Sequence, residues 1–431
     1  MPTWTAEQVA SLAPDASFIT AARRVAMARL WSGAGHDDRA AWGRCRSYLA
    51  AVDLADPAFS CTCPSRKVPC KHALGLLLLW ASSPEAVASA AAPSWVEGWL
   101  EARARRAARP PVEKKPVDPE ARARRMAGRA ARIGAGMEEL DLWLRDLVRQ
   151  GLASAQSRPF RYWDDVAARM VDAQAPGVGS QVRRMAGIVR SGDGWPGRLL
   201  VQAGRLHLLA QAWSRFDSLP AEIQADLRTV AGWSWTSEEV LAAGPPLRDR
   251  WQVVARAVVD EERFRIQRTW LVGTTTARSA LIVDFVAPSA PLPGGLVVGT
   301  EIDAGLAFFP GSWPQRALVS SVHGEAGSIG EWLGSATLDG ALATNASALA
   351  ANPWLDRLLL VVSDVVPLEK DDGWWARDTA GAVVRLQLED DGWWTLVAVS
   401  GGRPVGLAGE WQDGALRPLS VWADRRLVRV P

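Results

Sequence analysis

Apolar positions between residues 135 and 245 recur with the 3.6-residue period of an α-helix. The spacing i, i+3, i+4, i+7 and i+8 is followed by Leu140, Trp143, Leu144, Leu147 and Val148, and "WDDVAARMV" repeats it. Further helices are predicted in "SQVRRMAGIVR", "LLVQAGRLHLLAQAW" and "PAEIQADLRTVAGW". The pattern therefore predicts an α-helical domain for this part of the chain.

Beyond about residue 250 the dominant period changes to two. In "RFRIQRTWLVG", Phe264, Ile266 and Trp270 share one face of a strand. Further strands are predicted in "ALIVDFVA", "GGLVVGT", "AGLAFF", "RALVSSV" and "LLLVVSDVVPL", and helices in "RWQVVARAVVDEE" and "GALATNASALAANPWLDR". The sequence "DDGWW" occurs twice, and we expect each copy to precede a strand. The expected architecture is a β-meander that closes as a small barrel or sandwich.

The first 98 residues show a third pattern. "SFITAARRVAMARLW" predicts a helix with Asp15 and Ser17 as candidate caps, and "YLAAVDLADPAFSC" is strand-like. "HALGLLLLWASS" predicts a helix that begins at His72 and is buried, because it is apolar nearly all round.

A stretch rich in arginine and proline separates the first two regions. From Arg103 to Arg132 it holds nine Arg and two Lys against three acidic residues. This composition predicts a mobile cationic linker with helical ends. The predicted fold is α+β and multidomain, with an N-terminal metal-binding unit, a linker, an α-helical domain and a β-rich domain over residues 1–98, 99–134, 135–250 and 251–431.

Composition excludes several classes of protein. A hydrophobic fraction of 48% and a charged fraction of 22% are those of a folded globular protein, and the 23 Trp are expected to fill cores. The net charge of +2 gives no global field toward nucleic acid or membrane. The N-terminus lacks signal-peptide features and no run of about 18 apolar residues occurs, so we expect a cytoplasmic protein without a membrane partner.

Three of the four cysteines lie together with a histidine in "CTCPSRKVPCKH". Cys61, Cys63, Cys70 and His72 form C-x-C, six residues, then C-x-H. Three thiolates and one imidazole complete a tetrahedral set for Zn²⁺, and a full set of protein ligands is typical of a structural site. An iron–sulfur cluster is the alternative. Cys45 is expected to be a small buried side chain, or else a substitute ligand or redox neighbour.

Three basic residues lie in or beside the ligand loop, namely Arg66, Lys67 and Lys71. Three thiolates around Zn²⁺ leave a net charge of about −1, which these cations can offset. They can also contact phosphates, in which case they form one nucleic-acid-binding surface with the Arg-rich linker. Both roles stay open from sequence.

The cysteine–histidine pattern resembles the SWIM-type zinc finger, and its context is similar to that of bacterial SWIM zinc finger family proteins. The wider match includes "APDAS", "WGRC" and "VDLADPAFSCTCPSRKVPCKHALGLLLLW". The hairpin in "RCRSYLAAVDL" is several residues shorter than is usual in that family. The resemblance implies zinc binding and contact with DNA or protein. It also implies, as an alternative, an adaptor that works with a MoxR-type ATPase and a von Willebrand factor A-type protein.

Sequence signatures of common enzymes are missing. The chain has neither a G-x-x-x-x-G-K-[ST] phosphate loop nor a G-x-S-x-G elbow, and "GTTTARS" is interpreted as a turn. His36, His207 and His323 lie far apart in the sequence. We therefore expect a non-catalytic zinc protein with a protein or DNA partner and no evident small-molecule substrate, and an enzyme site in the C-terminal half is the weaker alternative.

Overall fold

The computed structural model of the protein places three groups of secondary-structure elements in chain order. It describes residues 4–13, 16–54, 57–65, 68–107, 119–261, 264–287, 290, 292–371 and 373–431.

The N-terminal group is a five-stranded sheet with helices on it. Its elements are α1 (Ala6–Ser11), α2 (Ala16–Val25), β1 (Trp31–His36), β2 (Ala40–Cys45), β3 (Tyr48–Asp53), β4 (Ala58–Cys61), α3 (Lys71–Ser82), β5 (Ala88–Ser89) and α4 (Ser94–Ala107). The strand order is β4-β3-β2-β1-β5, antiparallel except for the β1–β5 pair. The turn between β2 and β3 consists of Arg46 and Ser47 only, so the short hairpin noted in the sequence is a tight turn.

Helix α3 fills the centre of this group. Every residue from His72 to Trp80 is buried, as the all-round apolar pattern predicts. Helix α2 packs closely on it at Gly75, where an added Cβ would lie 2.6 Å from Val25 Cγ2. A glycine is therefore required at this contact.

The middle group is helical, as predicted. It comprises α5 (Pro119–Arg149), α6 (Phe160–Asp172), α7 (Pro176–Ile188), α8 (Trp195–Trp213), α9 (Ala221–Ala231) and α10 (Ser237–Ala242). One core joins α5 to α9 and contains Leu140, Leu144, Leu147 and Trp163. Val148, the last position of the predicted apolar stripe on α5, is 45% exposed, so this end of the stripe remains at the surface.

The C-terminal group contains two antiparallel sheets. Its elements are β6 (Leu247–Asp260), β7 (Arg265–Gly273), β8 (Ser279–Val286), β9 (Thr300–Phe308), β10 (Ala317–Ser328), α11 (Leu338–Ala351), β11 (Leu358–Lys370), β12 (Gly373–Asp378), β13 (Val383–Arg385), α12 (Asp390–Ser400), β14 (Val405–Gln412), β15 (Ala415–Ala423) and β16 (Arg426–Arg429). The strand orders are β10-β9-β6-β7-β8 and β13-β12-β11-β14-β15-β16. The β-rich region expected from sequence is confirmed, and its two sheets pack on each other.

Both C-terminal sheets share one topology. In each, three successive strands form a meander, and the chain then crosses to the other side of the meander's first strand. The first strands, β6 and β11, therefore lie inside their sheets with antiparallel neighbours on both sides. The two "DDGWW" copies do not mark this correspondence, because they lie in different kinds of element.

Three local predictions were wrong. "RWQVVARAVVDEE" lies mostly in β6, not in a helix. Residues 251–257 are buried on both faces of the sheet, which removes the polar–apolar alternation that marks a strand. The second "DDGWW" begins helix α12, and "GGLVVGT" is irregular up to Thr300.

A buried ion pair connects the two C-terminal sheets. Arg268 donates from Nε and Nη2 to the Glu410 carboxylate at 2.7 and 2.9 Å, and Trp270 Nε1 donates to it at 3.1 Å. The side chains of Arg268 and Glu410 are 9% and 3% exposed. Burial alone would raise the pKa of Glu410, but the hydrogen bonds and charge of Arg268 outweigh burial and lower it.

Contacts also join the three groups. Gln8 Nε2 in α1 donates to the carbonyl of Gly299 at 3.1 Å, and Val297 belongs to the core around α3. Trp354 enters the core of the helical group, where its Nε1 donates to the Arg205 carbonyl at 3.1 Å. The N-terminal group and the helical group therefore each pack against the C-terminal region.

We predict that Glu410→Gln lowers the free energy of unfolding by about 3–5 kcal/mol, because it leaves a buried guanidinium without its counter-charge. The folded-state pKa of Glu410 is lowered, so its contribution is present above the unfolded-state pKa and is lost as pH falls through the folded-state value. Urea unfolding of both proteins should show the difference at neutral pH and a smaller difference below about pH 4.

The exposed Arg248–Asp303 pair supplies the control. Asp303→Asn should leave the urea midpoint almost unchanged, since solvent screens this pair. Equal effects of the two substitutions would contradict the assignment of a special role to Glu410.

Candidate metal centre

Strand β4 and helix α3 position the four candidate ligands. Cys61 is the last residue of β4, and Cys63 follows it in the loop. Cys70 is the N-cap of α3, and His72 lies in the first turn of that helix. Cys61 at the end of the strand therefore meets Cys70 and His72 at the start of the helix, nine and eleven positions later in the sequence.

The four ligand atoms converge. The sulfurs of Cys61, Cys63 and Cys70 and a ring nitrogen of His72 all lie within 4.8 Å of one another. Cys61 Sγ is 3.8 Å from His72 Nδ1. In a tetrahedral zinc site the ligand atoms are roughly 3.3–3.8 Å apart, so side-chain shifts of at most about 1 Å complete the tetrahedron. The residues fit Zn²⁺.

Burial gives the centre a protected side and an accessible side. Cys70 and His72 are 4% and 6% exposed, whereas Cys61 and Cys63 are partly exposed. The His72 ring packs against Tyr48 of β3, with 5.0 Å between ring centroids. Tyr48 is a contact that the sequence analysis missed. Strands β3 and β4 pair with Ala50 opposite Cys61, and this pairing brings Tyr48 near the ligand group.

Without metal, the thiols share protons unequally. The pKa of Cys70 is lowered to about 5, because it accepts a hydrogen bond from Cys61 and backbone N–H groups at the start of α3 also favour its thiolate. The pKa of Cys61 is raised by its hydrogen bond with Cys70 and by burial. A helix N-terminus thus stabilises one ligand in its metal-binding form.

The ligand set leaves no coordination position for a substrate. Four protein ligands around Zn²⁺ define a structural site, whereas catalytic zinc keeps one position for water. The soft thiolates favour Zn²⁺ over Mg²⁺ or Ca²⁺. What this centre can do is to hold the end of β4 and the beginning of α3 together.

Cys45 is separate from the ligand group. It lies at the end of β2, is 1% exposed, and is not among the residues whose ligand atoms converge. Burial raises the pKa of its thiol. The interpretation of Cys45 as a small buried side chain agrees with this position.

The structure describes some of the basic residues proposed for nucleic acid. Arg66 and Lys67 lie outside the described residues, and Lys71 is exposed at the start of α3. At the ends of the Arg-rich stretch, Arg103 Nε donates to Asp53 at 2.9 Å, and Arg129 Nη2 donates to the carbonyl of Gly232 at 3.3 Å. Residues 108–118, the centre of that stretch, also lie outside the described residues. The predicted mobility of the linker therefore concerns a segment outside them as well.

The remaining histidines do not form a second site. His36 packs on Trp80, His207 contacts Asp141, and His323 lies 3.0 Å from the Ser321 hydroxyl. Within the described ranges, the cysteine–histidine group is the one cluster of metal-ligand type.

Comparison with known families identifies the class of protein. The SWIM zinc finger model matches residues 52–81, and the model of the SWIM-associated four-helix bundle domain matches residues 128–231. No curated protein and no solved structure gives a significant match. The chain therefore carries a SWIM zinc finger that runs from the end of β3 through β4 and α3, and a SWIM-associated bundle on α5–α9.

Among the described residues, no helix has both the length and the apolar character that a membrane crossing requires.

We predict that Cys63→Ser and His72→Ala each abolish stoichiometric zinc, because three remaining ligands bind zinc far more weakly than four. Elemental analysis of purified protein measures the zinc content. Cys45→Ala is the matched control and should retain one zinc per chain. A Cys61/Cys63 double variant that keeps its zinc would contradict the site.

Zinc removal should loosen the ligand loop and the first turn of α3, and leave the rest of α3 protected. Ligation supplies part of the folding free energy of such a unit, but α3 also belongs to a buried core with α1, α2 and the sheet. Hydrogen exchange before and after chelation measures this. Unchanged exchange over residues 61–72 after zinc loss would show that the metal is dispensable.

Proposed function

We propose that the protein is a non-catalytic interaction module whose SWIM finger is held by Zn²⁺ through Cys61, Cys63, Cys70 and His72. One observation carries this proposal, namely a complete set of four protein ligands that leaves the metal no position for a substrate. The ion therefore fixes the geometry of a surface, and the function lies in what binds to that surface and to the bundle beside it.

A protein partner is favoured over nucleic acid. Non-specific affinity for nucleic acid comes from cations that are free to approach phosphates. Arg103, Arg129 and Arg132 instead donate to Asp53, to backbone carbonyls and to Gln174. Among the described residues, these contacts engage three of the cations that the sequence pattern assigned to one surface, and the net charge of +2 adds no long-range attraction.

The bundle offers an apolar groove for such a partner. Helices α5 and α8 enclose about 430 Å³ between Leu144, Val148, Leu200 and Ala203. Val148 and Leu200 are 45% and 50% exposed, and the adjoining Val201 is 64% exposed. Solvent-exposed aliphatic side chains at neighbouring positions are typical of protein-binding sites.

The edge of the groove indicates the chemistry of the partner. Arg145, Arg149 and His207 lie beside the apolar floor, and Arg145 and His207 both contact Asp141, so Arg149 is the more available cation. Arg149 is 75% exposed, and its ion pair with Asp146 is 3.7 Å long and solvent-screened. An amphipathic helix with aliphatic residues on one face and Asp or Glu beside them would match both features.

We retain the division into units 1–98, 99–134, 135–250 and 251–431 as a proposal. The end of α4 at Ala107 and the start of α5 at Pro119 support a break within 99–134. Helix α5 crosses residue 134, so the bundle's first helix already begins inside the linker segment.

We predict that Leu200→Glu abolishes recovery of a protein partner, because a carboxylate at the groove would be desolvated on binding. Affinity purification with nuclease treatment, followed by mass spectrometry, compares this variant with the wild-type chain. Val322→Glu is the matched control, since Val322 is 58% exposed on β10, away from the bundle. A MoxR-type ATPase or a von Willebrand factor A-type protein that the wild-type chain and the control retain would identify the adaptor role.

Binding to DNA is the outcome that would replace this proposal. A labelled duplex should show weak binding that salt removes and that Leu200→Glu does not change. Tight binding at 150 mM salt, lost when Lys71 and its neighbouring loop bases are neutralised, would instead assign the finger to nucleic acid.

A further inference from the structure

A large cavity lies in the C-terminal region. It has a volume of about 690 Å³. The turn between β7 and β8, the start of β11 and one face of α11 enclose it, together with residues 313–314 and 333–335. Ligand sites in proteins commonly have volumes of about 300–1,000 Å³.

One wall of this cavity is a braced turn, formed by the sequence "GTTTARS". Asp249 accepts hydrogen bonds from the Thr276 hydroxyl at 2.7 Å and from the backbone N–H groups of Thr275 and Thr276 at 3.2 and 3.0 Å. A side chain at Gly273 would collide with the Asp249 carboxylate. The turn is therefore fixed by a buried carboxylate, and the cavity wall is preformed.

Most of the lining is apolar, and one buried polar group in it lacks a partner. Val272, Ala341 and Leu358 are at most 8% exposed. Asn345, which α11 turns to the same side as Ala341, is 4% exposed. Its Nδ2 donates to no acceptor among the described residues. Buried polar side-chain atoms are usually hydrogen-bonded, and a bound ligand would supply the missing partner here.

A cation without a counter-charge lies in the same lining. Arg278 Nη2 donates to the Pro314 carbonyl at 3.2 Å, and the guanidinium stacks over Phe308 at 4.0 Å. No carboxylate of the described residues pairs with it, and burial lowers its pKa. Desolvated charges in proteins are usually paired, and none of the described residues supplies an anion to Arg278.

We propose that this cavity binds a small molecule with an apolar body and one anionic group. Arg278 pairs with the anion, Asn345 Nδ2 donates to an oxygen of the ligand, and the side chains of Val272, Ala341 and Leu358 hold the apolar body. Carboxylates and phosphate monoesters share this chemistry. The site is independent of the zinc finger and of the groove on the bundle.

Two fluorescent probes, one with and one without an anionic group, test the proposal. 8-Anilinonaphthalene-1-sulfonate carries an anionic group on an apolar body, and N-phenyl-1-naphthylamine has nearly the same body without the charge. Titration of the zinc-loaded full-length protein should show at least tenfold tighter binding of the sulfonate. Octanoate and octyl phosphate, added as competitors, show which anion is preferred.

Variants locate the probe. Thr344 is exposed at the edge of the cavity, so Thr344→Trp should block entry and abolish high-affinity binding. Ser347→Trp, on an exposed position of the same helix outside the cavity, should leave binding unchanged. Arg278→Met should remove the preference for the sulfonate. Arg316 stacks on Phe309 outside the cavity, so Arg316→Met should leave that preference unchanged.

Asn345→Leu separates a ligand contact from a structural one. Removal of an unpaired amide should raise the melting temperature of the protein without probe, and at the same time weaken binding of the probe at least fivefold. Unchanged binding in Thr344→Trp would overturn the proposal. Equal loss in Thr344→Trp and Ser347→Trp at unchanged melting temperature would overturn it too, because the probe would then bind on the outer face of α11.

Discussion

The burial of helix α3 on nearly all sides is the constraint on which the zinc finger depends. Because His72 to Trp80 are enclosed by α1, α2 and the sheet, the N-terminus of this helix has a fixed position relative to β3 and β4. Cys70 and His72 lie at that N-terminus, and Cys61 lies at the end of β4. The metal therefore links two elements that the apolar core has already placed.

This arrangement divides stability between two sources. The core supplies burial of aliphatic side chains, which is non-directional and insensitive to metal. The four ligands supply a directional link that exists only when all of them converge, and whose strength depends on deprotonated thiols. The two are coupled at Cys70, whose thiolate the backbone N–H groups of α3 help to stabilise before any metal binds.

The C-terminal region uses one sheet topology twice. The two C-terminal sheets share a topology, and between them lie a buried Arg–Glu pair and a partly apolar cavity with uncompensated polar groups. The bundle next to them places an apolar groove at the surface. A site with four protein ligands suits a structural metal better than chemistry at the metal.

The sequence by itself determined the features that are local. The ligand set could be read from "CTCPSRKVPCKH" because all four donors lie within twelve residues, and the bundle helices could be read from their 3.6-residue period. The β-rich character of the C-terminal part also followed from sequence. Only the tertiary structure decided the identity of β6, because burial on both faces hides a strand's alternation. It also decided the contacts of Arg103 and Arg129, whose partners are 45 or more residues away. The cavity at Asn345 and Arg278 has the same origin, since its walls come from segments that meet only after the sheets have paired and packed.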